Sequence, residues 1–166
     1  MEVCFLSAVQ GPLQAFLRPG LWFPGLNLLH TCTEQWVSTE PPDVLLDDLV
    51  HSIEAYSQLE QRESWCNIIQ LHKVDRENNR VTILAYTRAE WLDVVEIDFN
   101  TGKARSFSSG IFPTFLPLAV LLNCVLFFVP FLDHGVNKKR LDKLRSLMTS
   151  AVGVDTEEQS LITNEH

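Results

Sequence analysis

The residues that could carry out catalysis in this chain are dispersed. Asp93, Glu96 and Asp98 lie in one short segment, but Asp93 and Glu96 have odd spacing and therefore project from opposite faces of a strand. We interpret these groups as solvated or ion-paired carboxylates and not as an acid–base pair. Ser52 follows His51, and the sequence places no third group beside them that would complete a nucleophilic triad. No catalytic residue is predicted, and we expect the protein not to be an enzyme.

Signatures of bound metals, phosphates and cofactors are missing from the sequence. There is no Gly-rich phosphate loop, no His-Glu-x-x-His and no Gly-x-Ser-x-Gly motif. His30 and Cys32 are close together, but two ligands do not make a tetrahedral zinc site. The four cysteines are scattered without a Cys-x-x-Cys pair, which is typical of reduced packing residues. The sequence therefore predicts neither a metal nor a cofactor.

The composition indicates a globular domain with a membrane or protein partner. The 166 residues suffice for one domain with its own core, and a hydrophobic content of 46% is too high for a disordered chain. A charged content of 20% is too high for a polytopic membrane protein. The net charge of −8 argues against nucleic acid as a partner, because phosphate binding needs a basic face.

Hydrophobic periodicity predicts an α+β domain. Apolar residues at three- and four-residue spacing predict a helix over residues 40–60. Period-two patterns then predict strands at Trp65–Val74, Val81–Arg88, 94–99 and Lys103–Ser108, joined by short turns. Four such strands make an antiparallel meander, which needs one face covered by helices.

Residues 1–31 are apolar but contain three Pro/Gly pairs, beginning with Gly11-Pro12. We expect these pairs to interrupt every helix in this leader after two or three turns. The aromatic and leucine side chains of the leader suit a membrane interface. A poorly ordered leader, or one that packs loosely on the domain, is the alternative.

A second apolar segment is the most prominent feature of the sequence. Residues 106–132 carry no charge, and residues 111–132 are apolar almost throughout. As one helix the latter would reach about 33 Å, enough for a bilayer core, but Pro113, Pro117 and Pro130 would kink or shorten it. A single span, a re-entrant hairpin, an interfacial anchor and a buried helix all remain open. The membrane-contacting side chains are predicted to include Phe112, Phe115, Leu118, Leu122, Val125 and Phe128.

The end of the chain divides into a basic helix and an acidic tail. Lys138–Met148 has an apolar stripe and five cations directly after the uncharged segment. Such cations indicate a cytoplasmic flank, or contact with anionic lipid headgroups. Residues 149–166 are polar and unpatterned, and we predict a disordered tail.

Two motifs resemble a known family. They are Ala-Arg-Ser-Phe-Ser at residues 104–108 and Asp-His-Gly-Val-Asn-Lys-Lys-Arg-Leu at residues 133–141. This pattern is similar to that of the uncharacterised DUF1499 family, in which the two motifs are nearly contiguous. Here the apolar segment separates them, and Ser109 stands where the family has an arginine. The resemblance implies one α+β domain made of residues 32–110 and 133–148, and it implies no activity.

The same resemblance draws attention to four polar residues around the apolar segment, namely Arg105, Asp133, Asn137 and Arg140. A structural role would have Asp133 or Asn137 capping the final helix and Arg105 pairing with Asp133. An anion site for a lipid headgroup is the alternative. If the final helix packs on the sheet, the apolar segment enters and leaves a membrane on the same side. We therefore favour same-side insertion over a single span.

Taken together, these patterns favour a membrane-associated, non-enzymatic protein that acts as an adaptor or assembly factor. The alternative function is a carrier or sensor of a hydrophobic ligand or lipid. The expected partners are membrane lipid and a protein, and nucleic acid is not expected. An intracellular membrane is favoured over secretion, because reduced cysteines persist there.

Overall fold

The computed structural model describes residues 3–17, 31–60, 68–87, 89–126 and 135–155. These residues form four helices and six antiparallel strands, which confirms the predicted α+β class. In chain order the elements are α1 (Phe5–Phe16), β1 (Thr31–Val37), α2 (Pro42–Glu60), β2 (Ile68–Asp75), β3 (Arg80–Tyr86), β4 (Leu92–Asp98), β5 (Lys103–Ser108), α3 (Ala119–Val125), α4 (Val136–Leu147) and β6 (Gly153–Val154).

The predicted meander forms the larger part of the sheet. The strand order is β2-β3-β4-β5-β1-β6, so β2 to β5 follow one another in space as they do in sequence. Gly102 closes the β4–β5 hairpin with a φ of +69°, and a Cβ at this position would overlap the backbone oxygen of Trp36. Both observations require glycine here. Two strands, β1 and β6, extend the sheet beyond the predicted four.

Strand β1 was not expected from the sequence, because its inward-facing positions include a carboxylate. Glu34 and Trp36 are its buried residues, and the strand pairs with β5 in the register Thr33↔Arg105. A charged residue at an inward position breaks the apolar alternation by which a half-buried strand is recognised. The tertiary structure compensates by bringing cations to Glu34, as described below.

One face of the sheet carries the main core. Helices α2 and α4 pack side by side on this face, and the Ser52 hydroxyl of α2 donates to the Leu147 carbonyl of α4 at 3.1 Å. The buried apolar side chains of both helices follow the helical spacing that the sequence predicts. The side chains buried here include Leu45, Leu46, Leu49 and Ile53 from α2, Leu141 and Leu144 from α4, and Ile83, Val95, Ile97 and Ala104 from the sheet.

The opposite face is also covered, which corrects the expectation that helices shield only one side. Helix α1 lies over the ends of β3, β4 and β5 and contributes Ala15 to a second core. The sheet thus separates two cores, and its strands are apolar on both sides where α1 sits. The sheet residues of this second core are Leu84, Tyr86, Leu92, Val94 and Phe107.

Helix α1 also corrects the prediction that Gly11-Pro12 breaks the leader. The helix runs from Phe5 to Phe16 with Pro12 inside it. Proline removes one intrahelical hydrogen bond, and the helix is held instead by side-chain contacts with the sheet and with residues 109–120. The rest of the predicted leader, residues 18–30, lies outside the described residues.

The tail prediction does not hold for residues 149–155. Gly153 and Val154 pair with Val37 and Trp36 of β1. The Asp48 carboxylate accepts hydrogen bonds from the backbone N–H and hydroxyl of Thr149 and from the backbone N–H of Ser150. These hydrogen bonds fasten the segment after α4 to the domain. Residues 156–166 lie outside the described residues.

The described part of the predicted membrane segment is not a continuous helix. Residues 111–118 form turns, and α3 comprises only Ala119–Val125. In the described stretches of the chain, no helix combines the length and the apolar character needed to cross a bilayer. The inserted segment packs instead on α1, and residues 127–134 lie outside the described residues.

We predict that Gly11→Ala loosens α1 from the sheet. A Cβ at Gly11 would overlap the phenol of Tyr86, which is fully buried. Overpacking of this kind costs about 1–3 kcal/mol, to be measured by urea unfolding. The matched control is Gly153→Ala, whose Cβ would come no closer than 3.7 Å to Val37. Equal unfolding free energies for the two variants would contradict the described packing of α1.

Candidate functional site

Helix α1 has its polar and apolar faces inverted relative to a helix that packs on a soluble core. The residues that face the protein are Ser7, Gly11, Gln14 and Ala15, all buried. The large apolar side chains face solvent, and Phe5 and Phe16 are 81% and 71% exposed. A surface helix of a soluble domain normally buries its apolar stripe. The orientation of α1 therefore leaves an apolar stripe without a partner in the described residues.

Helix α3 repeats this inversion beside α1. Its buried residues are Ala119, Val120 and Asn123, whereas Leu118 and Val125 are 65% and 67% exposed. The two helices contact each other, so their exposed side chains form one surface, which we name the outer apolar surface. Its members are Phe5, Leu6, Val9, Leu13, Phe16, Leu17, Phe115, Leu118, Leu121, Leu122 and Val125.

Most of the predicted membrane-contacting residues belong to this surface. Phe115, Leu118, Leu122 and Val125 are exposed members of it. Phe112 is only partly exposed, because its backbone N–H and carbonyl both bond to the Asn123 side chain. Phe128 lies outside the described residues. Phe5, Leu6 and Phe16 of α1, and Leu17 at its C-cap, come from the leader, whose aromatic and leucine side chains are predicted to suit a membrane interface. The inward orientation of the polar face of α1 was not predicted.

A layer of uncharged hydrogen-bonding groups explains the inversion. Gln10 donates to the carbonyls of Thr114 and Leu116 at 3.0 and 2.8 Å. Gln14 donates to the Ser109 hydroxyl at 2.7 Å and accepts from Asn123 at 3.1 Å. Because a buried amide without partners costs free energy, these contacts fix which way both helices face.

Glu90 joins three parts of this layer. Its carboxylate accepts from the Ser7 hydroxyl and from the Cys4 backbone N–H, which begins α1. Its carbonyl accepts from the backbone N–H and hydroxyl of Thr114, at 2.9 and 2.8 Å. Glu90 has a φ of +57°, a strained conformation for a residue other than glycine. These contacts hold the β3–β4 turn, α1 and the turns before α3 together.

The same junction shifts two pKa values. Burial acts to raise the pKa of Glu90, but the hydrogen bonds from Ser7 and Cys4 outweigh it, and the pKa lies below its ordinary value. Burial, reinforced by the negative charge of Glu90, raises the pKa of Tyr86 to about 12. Both shifts describe an ionised carboxylate next to a neutral phenol at neutral pH.

The polar residues singled out by the family resemblance are divided between the two faces of the sheet. Asn137 and Arg140 lie on the α4 side, where Asn137 accepts from the Ser106 hydroxyl at 2.7 Å. The N-cap of α4 is Gly135, and α4 has no side-chain capping hydrogen bond. The predicted capping role of Asn137 is therefore wrong. Asp133 lies outside the described residues.

Arg140 forms a buried ion pair that sequence reasoning did not assign. Its Nη2 lies 2.8 Å from Oδ2 of Asp93, and the two side chains are only 4% and 8% exposed. Asp93 had been expected to be solvated or ion-paired, and the structure places it in the pair. Pairing two charges inside the protein fixes the position of α4 on β4. Both charges are buried, and each is the ion-pair partner of the other.

Arg105 lies on the other face of the sheet, apart from Asn137 and Arg140. Its guanidinium lies 5.0 Å from the centre of the Phe107 ring, which belongs to the core under α1. It faces an open cleft of about 340 Å³ whose charged lining residues are Arg80, Glu96, Asp98, Lys103 and Arg105. Carboxylates and cations are mixed in this cleft, so it carries no strong anion-binding character.

The basic helix α4 is largely neutralised by its neighbours. Arg145 lies 3.2 Å and Lys138 lies 3.8 Å from the buried carboxylate of Glu34. Glu34 also accepts from the Trp36 indole at 2.9 Å. Together with the Arg140–Asp93 pair, these contacts tie three of the five cations to carboxylates. This helix packs on the sheet face opposite α1. The predicted role of its cations at a membrane stays a prediction.

Comparison with known proteins adds no relative: no family model, no curated protein and no solved structure matches the chain. The DUF1499 resemblance stays a prediction. Within the described residues, no group of three or more His, Cys, Asp or Glu side chains could hold a metal ion. Among the described residues, the outer apolar surface is the feature that most strongly indicates binding to a partner.

We predict that Arg140→Ala destabilises the protein strongly, because it leaves the carboxylate of Asp93 buried without its charge partner. Breaking one side of a buried pair costs about 3–5 kcal/mol. The matched control is Arg80→Ala, which removes a cation from an exposed pair with Asp98 and should cost no more than about 1 kcal/mol. Denaturant unfolding of both variants gives the comparison. A similar, small loss of unfolding free energy in both variants would show that the buried pair does not hold α4 in place.

A second prediction concerns the pH dependence at Glu90. Its pKa is lowered on folding, so the ionised carboxylate stabilises the native state above the unfolded pKa. That stabilisation is lost as the pH falls through the lower, folded pKa. Glu90→Gln should therefore be less stable than the natural protein at neutral pH, and the difference should shrink in acid. Thermal unfolding across this pH range measures it, and a difference that grows toward low pH would contradict the assigned role.

Proposed function

We propose that this protein is a membrane-associated, non-enzymatic adaptor or assembly factor that attaches through its outer apolar surface. The observation that carries the proposal is the inversion of α1 and α3, which bury glutamine, asparagine and serine and expose phenylalanine, leucine and valine. Helix pairs that face lipid have this distribution, with small and polar residues between the helices and apolar residues outside. The α+β domain is then the head that the surface anchors.

The size of the surface supports attachment without a membrane-spanning helix. Burying a phenylalanine, leucine or valine side chain is worth about 1.5–3 kcal/mol. The four most exposed members, Phe5, Phe16, Leu118 and Val125, are each about two-thirds exposed or more and would together contribute on the order of 4–8 kcal/mol. This is a useful affinity for a membrane interface. Two apolar stretches of sequence, 21–29 and 127–132, adjoin the surface along the chain and add to the same character.

The adaptor role is supported by the separation of the two faces. The outer apolar surface lies on the α1 side of the sheet, while α2 and α4 cover the other side. A membrane bound at the first side leaves the exposed surface of α2, which includes Asp43, accessible to a protein. The alternative role, a carrier of a hydrophobic ligand, requires an enclosed apolar cavity. Two clefts lined by described residues are open and partly polar, and neither has this character.

We predict that replacing both Leu122 and Val125 with Arg abolishes membrane association. Each arginine placed at membrane depth costs a few kcal/mol, and both positions are exposed, so the fold should persist. The measurement is flotation of the purified full chain with phospholipid vesicles. The matched control is Val44→Arg, an exposed apolar position on α2, which should float like the natural protein. Undiminished flotation of the double variant would refute this attachment surface, and recovery of the protein with extracted lipid in solution would favour a carrier.

A further inference from the structure

We infer that the outer apolar surface recognises neutral bilayers with loosely packed headgroups, as found on strongly curved membranes, and not anionic bilayers. This inference rests on the proposed function and names the lipid surface that the attachment would select. It is carried by three observations: the absence of charge from the surface, the placement of the cations elsewhere, and the rigidity of the helix pair.

The outer apolar surface and the two helices that form it contain no charged side chain, and the carboxylate of Glu90 lies beneath them, bonded to Ser7 and Cys4. Residues 3–17 and residues 110–126, which include α1, α3 and the turns before α3, contain no Asp, Glu, Lys, Arg or His. Amphipathic helices that bind anionic membranes carry lysine and arginine beside their apolar face. Without such residues, the attraction must come from insertion of apolar side chains alone.

The cations of the protein lie outside this surface. On the α1 side of the sheet, Arg80, Lys103 and Arg105 line a cleft in which Glu96 and Asp98 offset their charge. The cations of α4 lie on the opposite side of the sheet, and Lys138, Arg140 and Arg145 are paired with Glu34 or Asp93. The whole chain carries a net charge of −8. An anionic membrane would therefore repel the protein at low ionic strength. Charge complementarity thus favours a neutral surface.

The rigidity of the helix pair explains why lipid packing should matter. The Gln14–Asn123 hydrogen bond and the bonds of Gln10 hold α1 and α3 in one arrangement. The pair therefore meets the membrane as a preformed apolar wedge, with Phe16 and Val125 among its most exposed side chains. Such a wedge must part the headgroups before it reaches the acyl chains, and this requires less work where the headgroups are already spread, as on a curved bilayer.

The test uses the purified full chain and four kinds of vesicle: small and large, each made of phosphatidylcholine alone or with added phosphatidylserine. Flotation is measured at low and high salt. We expect binding to small neutral vesicles to exceed binding to large neutral ones by about tenfold. Phosphatidylserine should weaken binding at low salt, and high salt should leave binding to neutral vesicles unchanged. A variant that combines Phe16→Ser and Val125→Ser should lose the binding, while Val44→Ser should retain it, with circular dichroism verifying that both are folded.

The outcomes separate this inference from the proposed function. Binding that needs phosphatidylserine and is lost in high salt overturns the inference but leaves membrane attachment standing. Equal binding to small and large neutral vesicles also overturns the inference and leaves membrane attachment standing, because binding would then not depend on how tightly the lipid headgroups are packed. No binding to any vesicle by the folded chain overturns both, and capture of a protein partner by the same apolar residues would then be the remaining role.

Discussion

The hydrogen-bonded layer beneath α1 is the constraint on which the outer part of the structure depends. The hydrogen bonds of this layer require the side chains of Gln10, Gln14 and Asn123 to point inward, toward Ser109 and the turns before α3. Because both helices are short and amphipathic, satisfying the amides on one side forces the apolar side chains to the other. The exposure of phenylalanine and leucine is thus a consequence of buried polar chemistry and not of incomplete packing.

The sheet separates this layer from the buried ion pairs on the α4 side. On the α4 side, the carboxylates of Glu34 and Asp93 are buried under arginine and lysine side chains. On the α1 side, Glu90 is the charged group that joins the layer, and it is satisfied by Ser7 and Cys4. One domain thus has two different interiors: an ion-paired one, and one built from neutral hydrogen bonds. The two are separated by strands that are apolar on both faces.

Sequence periodicity predicted the elements whose apolar residues point into the protein. The α2 stripe, the β2–β5 meander and α4 all follow this rule, and β5 occupies the predicted residues 103–108. The prediction was wrong or incomplete where polar residues point inward. Glu34 concealed β1, and the Gly11-Pro12 pair concealed the continuity of α1, whose buried face carries Gln14. Hydrophobic patterning cannot distinguish a buried amide from a solvated one, because only tertiary contacts supply its partners. Apolar members of the outer surface could be predicted in both α1 and α3, whereas the polar contacts that orient the two helices could not.

The two-sided chemistry of the helix pair also bears on what contact with a membrane requires. In water, an apolar surface of this kind favours association, and the charges concentrated on the rest of the chain oppose it. At a lipid interface, the outer side chains are removed from water, so their exposure no longer costs free energy. The amide hydrogen bonds between the two helices become stronger there, because the surrounding dielectric constant is lower. No described contact of α1 or α3 with the sheet has to break for this to happen. Under the proposed attachment, the same set of buried polar residues would hold α1 and α3 on the folded head and fix the surface that meets the membrane.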